Sequence, residues 1–239
     1  MAKTVFERTE KKYVITIAQM NSLKNLISDK IKPDEYCKST VNSIYFDTDN
    51  YRLIRNSIEK PVYKEKLRLR SYGVPDDNST VFLELKKKYK GVVYKRRRKM
   101  KYKDAMNYLC SGVLPDNSQI MREIDYAMSY YRDLSPKMFI AYDRLAFVGK
   151  ENSDLRITFD TNLRFRTDNL TLKSGSFGES IIDKTYCIME IKALGAIPLW
   201  LCKALDTLKI YPSSFSKYGT AYTIVTKRNL QKNGGKSCA

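Results

Sequence analysis

The chain has 239 residues, 43% of them hydrophobic, which is enough for one large core or two small ones, and no linker-like stretch divides it. Its formal net charge of +18, from 44 Lys+Arg against 26 Asp+Glu, points to a polyanionic partner: nucleic acid, a phospholipid surface, a nucleotide or a phosphate polymer. It contains no histidine, which excludes His-activated nucleophiles, phosphohistidine intermediates and His-ligated metals and leaves chemistry to carboxylates, Lys, Arg, Tyr or a hard metal held by oxygen.

Cys37, Cys110, Cys187, Cys202 and Cys238 are scattered without a Cys-x-x-Cys pair, which argues against a zinc site or a disulfide framework and reads as reduced core thiols of a cytoplasmic protein. The first residues lack the apolar run of a signal peptide, and no segment approaches the length of a membrane span.

In chain order, Arg8, Glu10 and Lys12 alternate into the β-rich Tyr13-Val14-Ile15, which predicts a strand with one charged face. Thr16 caps a helix whose apolar positions Met20, Leu23, Leu26 and Ile27 recur through about Asp29, with Pro33 as a stop. Residues 40 to 46 read as a strand and Tyr51 to Ile58 as a short helix. From Tyr63 to Tyr72 every second residue is Lys64, Lys66, Arg68, Arg70 and Tyr72, a strand with one cationic face and Leu67 and Leu69 on the other. Such a face persists in open water or around something strongly anionic.

Two further strands follow, Val81 to Lys86 and Val92 to Met100. Glu84 and Lys86 share a face of the first, and Lys95, Arg97 and Lys99 share a face of the second, with Arg96 and Arg98 pointing the other way. Antiparallel pairing of the three would pool these charges on one side. A helical stretch from Tyr102 to about Tyr131 is broken at Gly112 and Pro115. Residues 137 to 148 read as a strand carrying Tyr142 and Arg144 together, and Leu155 to Asp160 as another carrying Arg156, Thr158 and Asp160. Arg164 and Arg166 fall on a further short strand. Tyr186 to Ala193 pairs Glu190 with Lys192 on one face, Pro198 to Leu208 is an amphipathic helix, and residues 213 to 230 run from Ser213-Ser214-Phe215-Ser216-Lys217 into a last helix. Cations, carboxylates and tyrosines alternating with apolar residues in nearly every strand suit a barrel with a polar interior.

Taken singly these motifs are ordinary: a lone Lys-x-Lys-x-Arg-x-Arg strand is more often a solvated or nucleic-acid-facing surface, and Glu190 beside Lys192 more often a salt bridge than a metal site. Together, from about Phe6 to Tyr222, they have a family order. Arg8-Thr9-Glu10-Lys11-Lys12-Tyr13, Lys66-Leu67-Arg68-Leu69-Arg70, Glu84-Leu85-Lys86, Tyr142-Asp143-Arg144, Arg156-Ile157-Thr158, Glu190-Ile191-Lys192 and Phe215-Ser216-Lys217-Tyr218 carry it. The chain resembles the polyphosphate polymerase domain of the vacuolar transporter chaperone (VTC) complex, within the triphosphate tunnel metalloenzyme superfamily.

That resemblance implies an α+β fold in which a closed antiparallel β-barrel of about eight strands forms a polar tunnel, with helices packed outside. The sequence itself is expected to form one domain over residues 1–230, followed by a disordered tail over 231–239. Lys12, Arg68, Arg70, Lys86, Lys95, Arg144, Arg156, Lys192 and Lys217 would line the tunnel and grip phosphates. Tyr142 and Ser216 look like neutral phosphate donors and Glu190 like the ligand of Mn²⁺ or Mg²⁺, with Arg70, Arg144, Lys217 and Glu190 the catalytic set. The implied partners are ATP and inorganic polyphosphate, with no nucleic acid expected and a membrane-protein partner left open. One departure stands out: the superfamily's Glu-x-Glu-x-Lys signature reads Arg8-x-Glu10-x-Lys12, which favours holding a long anion over two-metal activation of water. Two rivals remain, a triphosphatase using the same tunnel, and a basic barrel binding RNA or single-stranded DNA through its tyrosines.

Overall fold

The computed structural model describes residues 8–234. In chain order its elements are β1 (Arg8–Thr16), α1 (Ile17–Leu26), β2 (Ile31–Asp47), α2 (Arg52–Glu59), β3 (Tyr63–Tyr72), β4 (Thr80–Tyr89), β5 (Val92–Lys101), α3 (Tyr102–Ser111), α4 (Gln119–Tyr131), β6 (Ser135–Gly149), β7 (Arg156–Arg166), a 3-10 turn (Leu172–Ser174), β8 (Glu179–Ser180), β9 (Tyr186–Leu194), α5 (Leu199–Thr207) and α6 (Lys217–Gly234). The expected tail thus begins inside α6, and residues 235–239 lie outside the described residues.

The fold is mixed α+β with a large antiparallel sheet, its ladders running β1-β9-β7-β6-β2-β3-β4-β5 with β8 against β7. Among the described residues no ladder joins β1 to β5, so the sheet is not closed into the expected eight-stranded barrel. The outer edge of β1 is occupied instead: Ser213 donates its backbone N–H to Lys12 O at 2.7 Å, and Val14 N–H donates to Ser213 Oγ at 2.9 Å. Alternation of charge and apolar side chains specifies two faces of a sheet and leaves closure undetermined.

Two compact units divide the chain. The first comprises the chain up to Thr40, Tyr142–Leu163 and Ile182–Ser216. Its core is made where the inward residues of three strands, Tyr13 and Ile15 of β1, Ile157 and Phe159 of β7, and Met189 and Ile191 of β9, meet Met20 and Leu23 of α1 and Leu201 and Leu205 of α5. A capping box starts α1 as the Thr16 spacing predicts: Gln19 N–H donates to Thr16 Oγ1 at 3.0 Å, and Thr16 N–H to Gln19 Oε1 at 3.1 Å.

The second unit comprises Val41–Ala141, Arg164–Ile181 and, among the described residues, α6. Here Leu67 and Leu69 of β3 and Leu83 and Leu85 of β4 pack under α3 and α4 against Tyr102, Tyr108, Met121 and Ile124. Leu67, Leu69 and Leu85 face the helices because their neighbours on both sides are charged and take the other face; Leu83 shares the face of Leu85, with Phe82 and Glu84 on the opposite one. The expected break in the helical stretch is present: α3 ends at Gly112, with φ +73°, and α4 starts at the Ser118 cap.

Several boundaries differ from the sequence reading. β2 begins at Ile31 rather than at residue 40, and Pro33 lies near its start, a strand position that dispenses with the missing N–H. The two short strands expected around Arg156 and Arg164 are one strand, β7, in which Asn162 takes φ +49°, a left-handed conformation that Asn tolerates. Of the cysteines only Cys187 is a core thiol, its acidity suppressed by burial to about 12; Cys110 and Cys202 are exposed, Cys37 is half-buried, and Cys238 lies outside the described residues.

Candidate functional site

Each unit carries a charge cluster on the sheet face turned away from its apolar core. In the second unit the register sets it: Lys66 stands opposite Lys86 and Lys86 opposite Lys95, while Arg68 stands opposite Glu84 and Glu84 opposite Arg97. Glu84 is the centre. Its side chain is 1% exposed, and Arg68 grips Oε2 through Nε at 2.7 Å and Nη2 at 2.6 Å. Lys95 Nζ lies 2.8 Å and Arg97 Nε 2.5 Å from Oε1, and Arg70 Nη1 is 3.9 Å from Oε2. Burial alone would raise the pKa of Glu84; the fields of Arg68, Arg70 and Lys95 override it and hold the carboxyl well below the usual carboxylate range. For Lys95 burial wins over the pull of Glu84, and with Arg97 and Arg68 nearby its ammonium is pushed down to about 8.

Arg68 also donates from Nη1 to Tyr45 Oη at 2.9 Å. Burial opposes ionisation of this phenol, yet Arg68, Arg70 and Lys66 outweigh it and bring the Tyr45 hydroxyl down to about 8. The Tyr45 ring stacks on Tyr218 at 4.6 Å between centroids, and Tyr218 donates to Asp47 Oδ2 at 2.9 Å. Asp47 also receives Leu53 N–H at 2.8 Å and Ile54 N–H at 3.0 Å, tying the end of β2 to the first turn of α2. Lys217, first residue of α6, is therefore set next to a helix position that is fixed by two buried contacts.

In the first unit, Lys12 stands opposite Glu190, Glu10 opposite Lys192, Thr158 opposite Glu190 and Arg156 opposite Lys192. Lys192 Nζ is 2.9 Å from Glu190 Oε1 and 4.0 Å from Glu10 Oε2, and Lys12 Nζ is 3.9 Å from Glu10 Oε1. Glu10 and Glu190 thus flank one ammonium; against burial, Lys192 first, then the neighbouring Glu10 and Lys12, hold the Glu190 carboxyl below its usual range. Arg144 grips buried Asp160 with both prongs, Nε to Oδ1 at 2.7 Å and Nη2 to Oδ2 at 2.9 Å, and lies 5.2 Å from the Tyr142 ring centre. Arg156 pairs with Asp34 at 2.7 Å, and Lys12 Nζ reaches Phe215 O at 3.5 Å, beside Ser216.

The family model for the VTC domain matches residues 7–226. The chain belongs to the VTC domain family. No curated sequence matches it. Among solved structures it shares the fold of a candidate adenylate cyclase from Bacillus halodurans, with TM-score 0.55 and 13% identity over 87% of this chain and 92% of that one. It shares it also with a candidate adenylyl cyclase of Hippeastrum, described as having a dominant triphosphatase activity, with TM-score 0.53 and 16% identity over 91% of this chain and 96% of that one.

The residues singled out in this VTC domain chain thus fall into two groups. Arg68, Arg70, Lys86 and Lys95 gather on β3–β5 of one unit, with Lys217 opening α6. Lys12, Glu190, Lys192, Arg156, Arg144, Tyr142 and Ser216 belong to the other. Sequence reasoning gave no site role to Glu84, Glu10, Asp160, Tyr45 or Asp47. The signal for Glu84 was present, since three strands pooling cations on one face need an internal counterion when that face is not bare water. Among the described residues no group of three or more Asp, Glu, Cys or His could hold a metal. A Mg²⁺-type ion needs only one or two carboxylates when phosphate and water complete its shell, and Glu10 and Glu190, both within 4.0 Å of Lys192 Nζ, fit that requirement.

Proposed function

We propose that this VTC domain, taken as one domain over residues 1–230, is a cytoplasmic polyphosphate polymerase. The terminal oxygen of a phosphate chain attacks the γ-phosphorus of ATP, the bond from γ-phosphorus to the β,γ-bridging oxygen breaks, and ADP leaves with the polymer one phosphate longer. Phosphoryl transfer asks a protein mainly for positioning and charge neutralisation, which a histidine-free set of Arg and Lys supplies. The observation that carries the reading is the Glu84 cluster, where one buried carboxylate organises four cations and so leaves a net positive, pre-oriented surface for a polyanion.

In this reading Arg68, Arg70, Lys86, Lys95 and Lys217 grip phosphates, as do Lys12, Arg144, Arg156 and Lys192, with Tyr142 and Ser216 as neutral donors. Glu190 and Glu10 would hold Mn²⁺ or Mg²⁺, which neutralises charge building on phosphate oxygens. The tunnel implied by the family resemblance is part of the proposal. Purified protein incubated with ATP and Mn²⁺ is expected to give long phosphate chains and ADP with little free phosphate. No turnover, and no thermal stabilisation by triphosphate where about 2.7 kcal/mol is expected at a hundredfold excess over Kd, would sink the assignment.

A second reading, triphosphate hydrolysis, is favoured by the Glu10–Glu190 carboxylate pair and by the activity described for the Hippeastrum relative. It predicts free phosphate without polymer in the same assay.

A further inference from the structure

The turn end of the β4–β5 hairpin carries a surface that phosphate binding does not use. Lys90 and Gly91 form the turn with φ 45° and 87°, the left-handed pair of a tight two-residue hairpin. Tyr89 stands opposite Val92 and opposite Tyr63 of β3, and Lys90 N–H donates to Val62 O at 3.0 Å. Val62, Tyr63, Tyr89, Val92, Val93 and Tyr94 are thereby gathered at one end of the three strands, each between 45% and 63% exposed. Tyr63, Tyr89, Val92 and Tyr94 share one face of this end and Val93, opposite Lys88, lies on the other, so the tip exposes apolar side chains on both faces, as an interaction surface does.

Its rim is basic: from Lys86 to Lys103 there are eleven cations and no acid. Away from the turn these cations are matched, Lys87 and Arg96 by Glu123, Lys95 and Arg97 by Glu84, and Arg98 by Asp116. Nearer the turn they crowd one another. Partial burial, then the charges of Lys88 and Lys60, push the Lys64 ammonium below its usual range. Exposed Lys60, Lys88 and Lys90 pair with no carboxylate among the described residues.

We propose that this hairpin end docks on an anionic phospholipid surface, the valines and tyrosines entering the headgroup layer and the lysines meeting lipid phosphates. Tyrosine suits that depth because its ring is apolar and its hydroxyl wet, and lysine stems lie along apolar surface while their charges reach outward. Clustered cations beside an apolar edge are what an anionic leaflet attracts, over about one Debye length. Single-stranded nucleic acid would use the lysines and tyrosines, and it gives the three valines nothing to stack.

Flotation of the full chain with vesicles tests this, comparing phosphatidylcholine alone with a mixture containing about 30% phosphatidylserine at roughly 0.15 M salt. The charge-conserving triple variant V92S/V93S/Y94S separates insertion from simple attraction of a basic protein. Wild type is expected to float with the anionic vesicles and not the neutral ones, and the triple variant to lose roughly tenfold or more of that affinity with unchanged melting temperature. If the triple variant melts early, Val92→Ser alone beside the turn is read the same way. Equal binding by wild type and variant assigns the effect to net charge and overturns the proposal, as does failure of wild type to bind either vesicle. Loss of self-association or of single-stranded RNA binding in the variant, with vesicle binding retained, overturns it in favour of those partners.

Discussion

The two charge clusters use the same side-chain types in opposite proportions. On β3–β5 one carboxylate, Glu84, serves Arg68, Arg70, Lys95 and Arg97, whereas on β1 and β9 two carboxylates, Glu10 and Glu190, share Lys12 and Lys192. The first is cationic after its internal pairing; the second is neutral and gathers two carboxylates around Lys192. A polyanion gains most where positive charge is left over, and a divalent cation where carboxylates are. Composition cannot make this distinction, since both clusters contribute to one net charge of +18. Register makes it, by deciding which cation stands opposite which acid.

The sharpest way to break the contrast is to remove one arginine from the first cluster. Arg70→Ala is expected to lower turnover of ATP or triphosphate by roughly 10² to 10³, as loss of a charge-stabilising donor typically does, with the fold retained by circular dichroism. Lys217→Ala should act similarly; full activity in either variant removes that residue from the site. Glu84→Gln attacks the organiser instead. Losing the single buried counterion leaves its cations to repel, so a stability loss of about 3 kcal/mol is expected in urea unfolding, offset by a larger stabilisation on adding triphosphate than wild type shows. If triphosphate stabilises this variant no more than wild type, the phosphate does not replace the Glu84 charge.

The contrast also shows what the sequence could and could not say. The cationic face of β3, the sharing of a face by Lys95 and Arg97, and the opposite direction of Arg96 and Arg98 follow from a period of two, and Arg96 and Arg98 do meet Glu123 and Asp116 on the helix side. Leu67, Leu69, Leu83 and Leu85 were legible as core for the same reason. A cationic face, however, was read as needing open water or an external anion, and Glu84 supplies a third solution from within the sheet. Tyr45 and Asp47 were missed because their roles arise from contacts with β3 and α6, far along the chain, which no local period encodes. The extent of β2 was misjudged because Pro33 is a strong local signal that a strand start overrides.

A smaller effect separates the clusters by their response to metal. Glu190→Gln should cost less stability than Glu84→Gln, because Lys192 can still donate to the amide oxygen and Glu10 remains as a counterion, and should raise the Mn²⁺ concentration for half-maximal activity by roughly tenfold or more. The same substitution at Glu84 should not move the metal requirement. An equal shift in both variants would mean that the two carboxylates do one job.

The mildest test is pH. Lys95 carries its charge below about 8 and loses it above, and Tyr45 is neutral below about 8 and anionic above. Each group removes one positive unit from the β3–β5 cluster as pH rises, so both push affinity for triphosphate the same way, downward on the alkaline side. Tyr218, Arg68, Arg70 and Lys66 face Tyr45. Tyr45→Phe removes one titration while keeping the stack on Tyr218, and Lys95→Arg removes the other while keeping the charge. Each should shift the alkaline fall in triphosphate affinity to higher pH, by a few-fold in Kd near pH 9, and the double variant should shift it further. A profile that all three share with wild type would assign the alkaline limb to the substrate, leaving the depressed pKa values of Lys95 and Tyr45 as consequences of crowding with no part in binding.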